Sequence, residues 1–142
     1  MHEIAIRAKN ENDRGWLTDV LQASWGSVRM VSNGTLFDVR DQEGLIAEIN
    51  GEPVGILMYH IADGECEIRL LESFRFNIGV GTGLIDAVKE TARRSGCRRL
   101  WVVTTNDNTR ALRFYQKNGF RLHALRVDAL TQSRKLKPEI PT

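Results

Sequence analysis

The chain has 142 residues, a length that one domain spanning 1–142 accommodates. Its 42% hydrophobic content is enough for one core, no apolar run is long enough to span a membrane, and a net charge of +2 is too small to argue for nucleic acid. Two cysteines, Cys66 and Cys97, with no second pair and no histidine at ligand spacing, argue against a disulfide framework and against a metal site. The N-terminus lacks the apolar stretch of a signal peptide, so a cytoplasmic protein with reduced thiols is the expectation.

Taken in order, Glu3 to Arg7 alternate weakly and predict a first strand. Asn10 or Asn12 caps a helix that sets Leu17, Val20, Leu21 and Ser24 on one face, and Ser24-Trp25-Gly26-Ser27 ends it. Val28 to Asp41 carries no clear period beyond a turn at Ser32-Asn33-Gly34. From Leu45 the pattern is a meander: LIAEI, a turn at Asn50-Gly51-Glu52-Pro53, VGILMYHI, a turn at Asp63-Gly64, then ECEIRLL. Alternation along that third strand predicts Glu65, Glu67, Arg69 and Leu71 on one side and Cys66, Ile68 and Leu70 on the other. A second helix follows with Leu84, Ile85, Val88 and Ala92 on its apolar face and Gly96 at its end. LWVVTT (100–105) predicts a buried strand with Trp101 in the core. Asn108 or Thr109 caps a third helix that Asn118-Gly119 ends, and RLHALRVDAL predicts a last strand before an irregular tail. The fold class is a mixed α/β layer domain.

The stretch IGVGTGLIDAVKETARRSG opens a helix with Gly79, Gly81 and Gly83, each costing helix stability. A helix start is a natural anion site, because its first amides lack internal partners and the macrodipole is positive there. The glycines would bare those amides to phosphate oxygens, with Thr82 adding a hydroxyl; the competing reading is a tight turn with close helix–sheet packing. A P-loop needs a Gly-Lys-Ser/Thr that Gly83-Leu84-Ile85 lacks, and a dinucleotide site needs a parallel first unit where this sequence has a meander.

The run Gly-x-Gly-Thr-Gly-Leu-Ile after the strand resembles the pyrophosphate-binding segment of the GNAT-type N-acetyltransferases. A second signature of that superfamily, Asn-x-x-Ala followed by Phe-Tyr and Gly-Phe, is matched by Asn108, Ala111, Phe114, Tyr115, Gly119 and Phe120. The resemblance spans nearly the whole chain and is densest from Glu48 to Phe120. It implies a central, mostly antiparallel twisted sheet whose middle strands, Glu65–Leu71 and 100–105, splay around acetyl-coenzyme A, with flanking helices. It implies pyrophosphate contacts from Asn77, Ile78, Gly79, Val80, Gly81 and Thr82, pantetheine contacts from the main chain near Leu71, and further coenzyme contacts from Asn108, Phe114 and Tyr115. One departure is Phe76, which stands where the family usually carries Gln or Arg; Arg75 is one place too early. A further departure is the apparent lack of the family's C-terminal strand after Leu130. Pairing of RLHALRVDAL with LWVVTT, or a homodimer covering the edge, is the expectation there.

The implied reaction is attack of an amine on a thioester. Tyr115 is the candidate general acid for the departing thiolate, the Leu71 amide the candidate oxyanion donor, and Glu67 or Glu65 the candidate base, directly or through water. The competing reading of the two glutamates is a pair of solvated carboxylates, partnered by Arg69. His60 and His123 are weaker candidates. Arg93, Arg94, Arg98 and Arg99 either steer an anionic ligand or are a solvated helix end. The acceptor is a primary amine of a small molecule or peptide, with specificity expected from Trp25 to Arg40, and no metal is called for. The alternative function is a coenzyme A-binding regulatory domain without catalysis.

Overall fold

The computed structural model of the protein describes residues 3–25, 29–32, 35–75, 78–102 and 109–121. In chain order these form strand β1 (Ala5–Ala8), a 3-10 turn (Glu11–Asp13) and helix α1 (Arg14–Trp25). A hairpin follows, β2 (Arg29–Ser32) and β3 (Thr35–Asp38), then a second 3-10 turn (Val39–Asp41). The rest is the meander β4 (Glu43–Ile49), β5 (Glu52–Ala62) and β6 (Glu65–Ser73), helix α2 (Val80–Arg94), strand β7 (Arg99–Val102) and helix α3 (Thr109–Lys117). The stretch without a clear period in the sequence is therefore largely a hairpin, its strands flanking residues 33 and 34. The predicted last strand falls, apart from Arg121, outside the described residues.

Local chemistry explains most of these boundaries. Asn50-Gly51 and Asp63-Gly64 each hold two consecutive positive φ angles (53° and 78°, 55° and 74°), the turn whose twist suits a two-residue hairpin. Asn10 and Asp13 form a reciprocal cap: the Asn12 amide donates to Asn10 Oδ1 and the Asn10 amide donates to Asp13 Oδ2, each at 2.8 Å. Helix α2 ends as the Cys97 amide bonds Ala92 O and Gly96 bonds Arg93 O. Helix α3 ends likewise, Phe120 to Tyr115 O and Gly119 to Gln116 O.

The main sheet has the order β1-β4-β5-β6-β7, antiparallel except for the parallel β6–β7 pair. One face buries Leu57, Tyr59, Cys66 and Ile68 against Val80, Leu84, Ile85 and Val88 of α2. The other buries Ile46, Ile56, Met58 and Leu70 against Leu17 and Leu21 of α1. Each Val, Leu, Ile or Met among them contributes about 1.5–3 kcal/mol on burial. Gly55 lets the first turn of α2 sit directly on β5: a Cβ there would strike Val80 Cγ1 and lie 3.2 Å from Leu84 Cδ1.

The predicted alternation along β6 does not survive. Met58 pairs with Leu70 while Tyr59 pairs with Ile68, so Arg69 is an extra residue, a β-bulge. One inserted residue flips the parity of everything after it. Leu70 joins the α1 face, and Leu71 joins the α2 face with Cys66 and Ile68. The expectation that Leu71 shares a side with Glu65 and Glu67 is corrected accordingly. Strand β7 is half-buried rather than buried. Leu100 and Val102 pack on the α2-face cluster, whereas Trp101 packs on neither core cluster and lies under the Arg99 guanidinium, 5.8 Å from its ring. The reading of Trp101 as core is thus overturned: it pairs with Glu67 across the sheet and points away from α2.

Candidate active site

Helix α2 begins on Gly79, whose φ of +85° suits glycine and which offers no side-chain cap. The first intrahelical bond is Gly83 N to Gly79 O at 2.9 Å, so the amides of Val80, Gly81 and Thr82 precede it. The first turn holds no acidic residue, and the basic Arg93 and Arg94 lie in the last turn. Positive potential therefore stays open at this end. The Val80 side chain is buried in the core and Ile78 packs against it, leaving main-chain donors as what this segment can present. Thr82 is exposed.

Of the three glycines, Gly81 has a packing reason as well. A Cβ on Gly81 would come within 3.0 Å of Phe114 Cζ and 3.2 Å of Cε1, so the bare position is filled by the α3 aromatic rather than kept free for a ligand. This contact joins the two segments singled out in the sequence. Lys89 strengthens the junction: its Nζ donates to Asn118 O at 2.6 Å and sits 5.9 Å from the Phe120 ring centroid. Phe114, Tyr115 and Phe120 stack edge-to-face at 5.4 Å spacings. Tyr115 packs on the same apolar cluster as Leu71, Ile78 and Phe114, and burial pushes its phenol up to about 12.

Glu67 lies on the opposite face of the sheet from this cluster. It is 5% exposed, and Arg69 Nε donates to its Oε1 at 2.8 Å. Arg69 in turn donates from NH1 to Gln42 Oε1 at 3.1 Å. Glu65 opens β6 beside the Asp63-Gly64 turn, bonded by Arg98 at 3.2 Å and approached by Arg99 at 3.7 Å. Six residues separate it from Leu71, roughly 20 Å of strand. The structure thus sets Leu71, Ile78, Val80, Phe114 and Tyr115 on one apolar cluster with Gly81 against Phe114, places Glu67 on the other face of the sheet, and leaves Glu65 at the far end of β6. Asn77 and Asn108 lie outside the described residues.

Residues 10–120 match the Acetyltransferase (GNAT) family. The chain belongs to the GNAT acetyltransferase family. It is 38% identical over 137 residues to the uncharacterized protein YdhI of Bacillus subtilis (strain 168), covering 96% of this chain and 86% of that one. Its fold is similar to aminoglycoside N-acetyltransferase AAC(6')-Iy in complex with coenzyme A, with TM-score 0.72 and 17% identity over 89% of this chain and 93% of that one. It is also similar to the PaiA N-acetyltransferase of Thermoplasma acidophilum in complex with coenzyme A, with TM-score 0.71 and 19% identity over 88% and 94%.

In this GNAT chain the other described charged candidates lie away from Gly81 and Phe114. Arg75 lies 3.9 Å from Glu52 in an exposed ion pair. Arg93 and Arg94 pair with Glu90, and Arg98 and Arg99 with Glu65, at the end of α2 about 20 Å from Gly79. Those arginines are exposed and ion-paired around the last turn of α2. His60 is exposed on β5, and His123 and the Trp25 side chain lie outside the described residues. Cys66 is buried and Cys97 half-buried, both as free thiols. Among the described residues no helix is long and apolar enough to cross a membrane, and no cluster of His, Cys, Asp or Glu has a geometry for metal. Gln42 had no role in the sequence reading; 27 residues separate it from Arg69, and no motif marks it.

Proposed function

We propose that the protein is an N-acetyltransferase that moves the acetyl group of acetyl-coenzyme A to a primary amine. The observation that carries this reading is the junction at Gly81 and Phe114, which joins uncapped helix amides to a half-buried tyrosine. The amides of Val80, Gly81 and Thr82 suit a diphosphate, since no side chain caps them and no carboxylate competes in the first turn. Gly79 shapes the turn, and Ile78, Asn77 and Asn108 complete the coenzyme contacts in this reading. The main chain of Leu71 faces the pantetheine arm and donates to the thioester carbonyl oxygen.

Acetyl-coenzyme A supplies the thioester; the chain supplies proton traffic on both sides of it. Tyr115 stays protonated through neutral pH and holds the proton for the leaving sulfur. The apolar surroundings that weaken the phenol as an acid also raise the proton affinity of a departing thiolate, so donor and recipient are penalised alike. Glu67 receives the proton of the amine, through water given its burial; an alkylammonium near pH 7 must lose one before it attacks. Tyr115 and Glu67 lie on opposite faces of the sheet, so a thioester between them has to sit where the strands part. Glu65, held by Arg98 and Arg99 at the far end, is left to a salt-bridge role. The amine then approaches from the α1 face. There Arg40 follows the hairpin and donates to Thr18 of α1 at 3.4 Å.

Release of free thiol from acetyl-coenzyme A, measured over a polyamine, an aminoglycoside and a peptide amino terminus, tests the proposal. Tyr115→Phe should lower turnover at least tenfold, in the usual range for an acid group, and spare coenzyme affinity. Tight coenzyme binding with no thiol release on any acceptor would favour the regulatory reading instead.

A further inference from the structure

Glu67 is a carboxylate buried on a strand, and its fixed orientation requires something to hold it. We propose that Arg69 is a positioning residue for the transfer, aiming the Glu67 carboxylate, with Gln42 as the anchor that fixes Arg69. The inference rests on the reading of Glu67 as the group that receives the amine's proton.

Three observations carry it. First, the side chains of Arg69 and Glu67 are only 11% and 6% exposed, so their pairing is an interior one with little screening by water. A carboxylate in such a place is retained only where a partner compensates its desolvation. Second, Arg69 uses two different edges of its guanidinium: Nε toward Glu67 Oε1 at 2.8 Å and NH1 toward Gln42 Oε1 at 3.1 Å. A planar fork held at two edges has its plane fixed, and it transfers that fixity to the carboxylate. Third, Arg69 is the extra residue of the β6 bulge. Bulges re-aim side chains, and this one lies between Glu67 and Leu71, where the strand changes the face it presents. Gln42 follows the 3-10 turn after the β2–β3 hairpin. The carboxylate is therefore tied, through one guanidinium, to the segment leading out of that hairpin.

The test uses the full-length protein, acetyl-coenzyme A and whichever of the three acceptors above gives the highest turnover. Arg69→Met keeps the aliphatic stem and removes the fork. It should lower kcat roughly ten- to hundredfold, the cost of a misaimed group, while KM for acetyl-coenzyme A and the calorimetric affinity for coenzyme A stay unchanged. Arg69→Lys should recover part of kcat. In a Glu67→Gln background, Arg69→Met should cause no further loss, because its effect passes through the carboxylate. Gln42→Leu should give a smaller fall in kcat, and it carries the test if Arg69→Met does not fold. An impaired Glu67→Gln beside a fully active Arg69→Met or Gln42→Leu overturns this inference alone, as does an undiminished Arg69→Met effect in the Glu67→Gln background. A fully active Glu67→Gln overturns the underlying reading of Glu67.

Discussion

Replacing Asp13 with asparagine should remove a large part of this protein's stability, and the loss should shrink progressively in acid. Asp13 is 2% exposed and accepts four hydrogen bonds: from Arg7 NH1 at 2.9 Å, Arg7 NH2 at 2.7 Å, Trp16 Nε1 at 2.9 Å and the Asn10 amide at 2.8 Å. The bidentate Arg7 pair ties β1 to the start of α1, and Arg7 Nε reaches Glu48 of β4 at 3.0 Å. Asparagine keeps the shape but turns an NH2 toward donors and leaves Arg7 half-paired. Breaking a buried pair costs about 3–5 kcal/mol. The Arg7 side chain is 32% exposed, so water compensates part of the loss and the lower end, about 3 kcal/mol, applies. With an unfolding entropy near 0.3 kcal/mol/K for a chain of this length, the melting point should fall by roughly 10 °C.

The pH dependence follows from the same contacts. The Arg7 bonds, with those from Asn10 and Trp16, hold the Asp13 carboxyl well below the usual carboxylate range. As pH falls below about 4 the unfolded chain takes up the proton first, so this contribution is full above that pH and is lost progressively as pH falls from there toward the much lower value of the folded carboxyl. Urea melts followed by circular dichroism from pH 7 to pH 2 should show native and Asp13→Asn curves converging in acid. A loss under about 1 kcal/mol at pH 7, against the scale expected for a buried pair, would refute the reasoning. A gap between the two proteins that ignores pH would do the same.

Gly81→Leu should drive Phe114 from its seat, lower stability by about 1–3 kcal/mol as overpacking does, and weaken coenzyme A binding in calorimetry; a variant as stable and as tight as the native protein would separate α3 from the coenzyme site. Gly55→Val should destabilise on the same scale, because its Cβ meets Val80 and Leu84, and a raised melting point would contradict the seating of α2 on β5. Burial pushes both the Cys66 thiol and the Tyr115 phenol up to about 12, from 9.0 and 10.0. The unfolded chain therefore loses these protons first, and stability should hold below about pH 9 and fall as pH rises toward 12. The Cys66→Ala, Tyr115→Phe double variant should flatten that alkaline limb in chemical denaturation. A limb of native steepness would assign it to other groups.

The amino-acid sequence by itself determined those features that depend on a few neighbouring residues. Asn50-Gly51 and Asp63-Gly64 set the two hairpin turns of the meander. Leu84, Ile85, Val88 and Ala92 set the buried face of α2, and Gly96 and Asn118-Gly119 set where two helices stop. Two short signatures, around Gly79 to Thr82 and Phe114-Tyr115, also carried the resemblance to the GNAT family. Tertiary structure decided which residues meet. Strand alternation assumes a strict period of two, and the extra residue at Arg69 is a property of how β6 pairs with β5, so no reading of β6 alone could place Leu71 and Glu67 on opposite faces. The bareness of Gly81 answers Phe114, 33 positions away, and the partners of Arg69 and Arg7 include Gln42 and Glu48, distant in sequence. Close packing and buried ion pairs are satisfied between elements, and their partners become visible only when the elements have met.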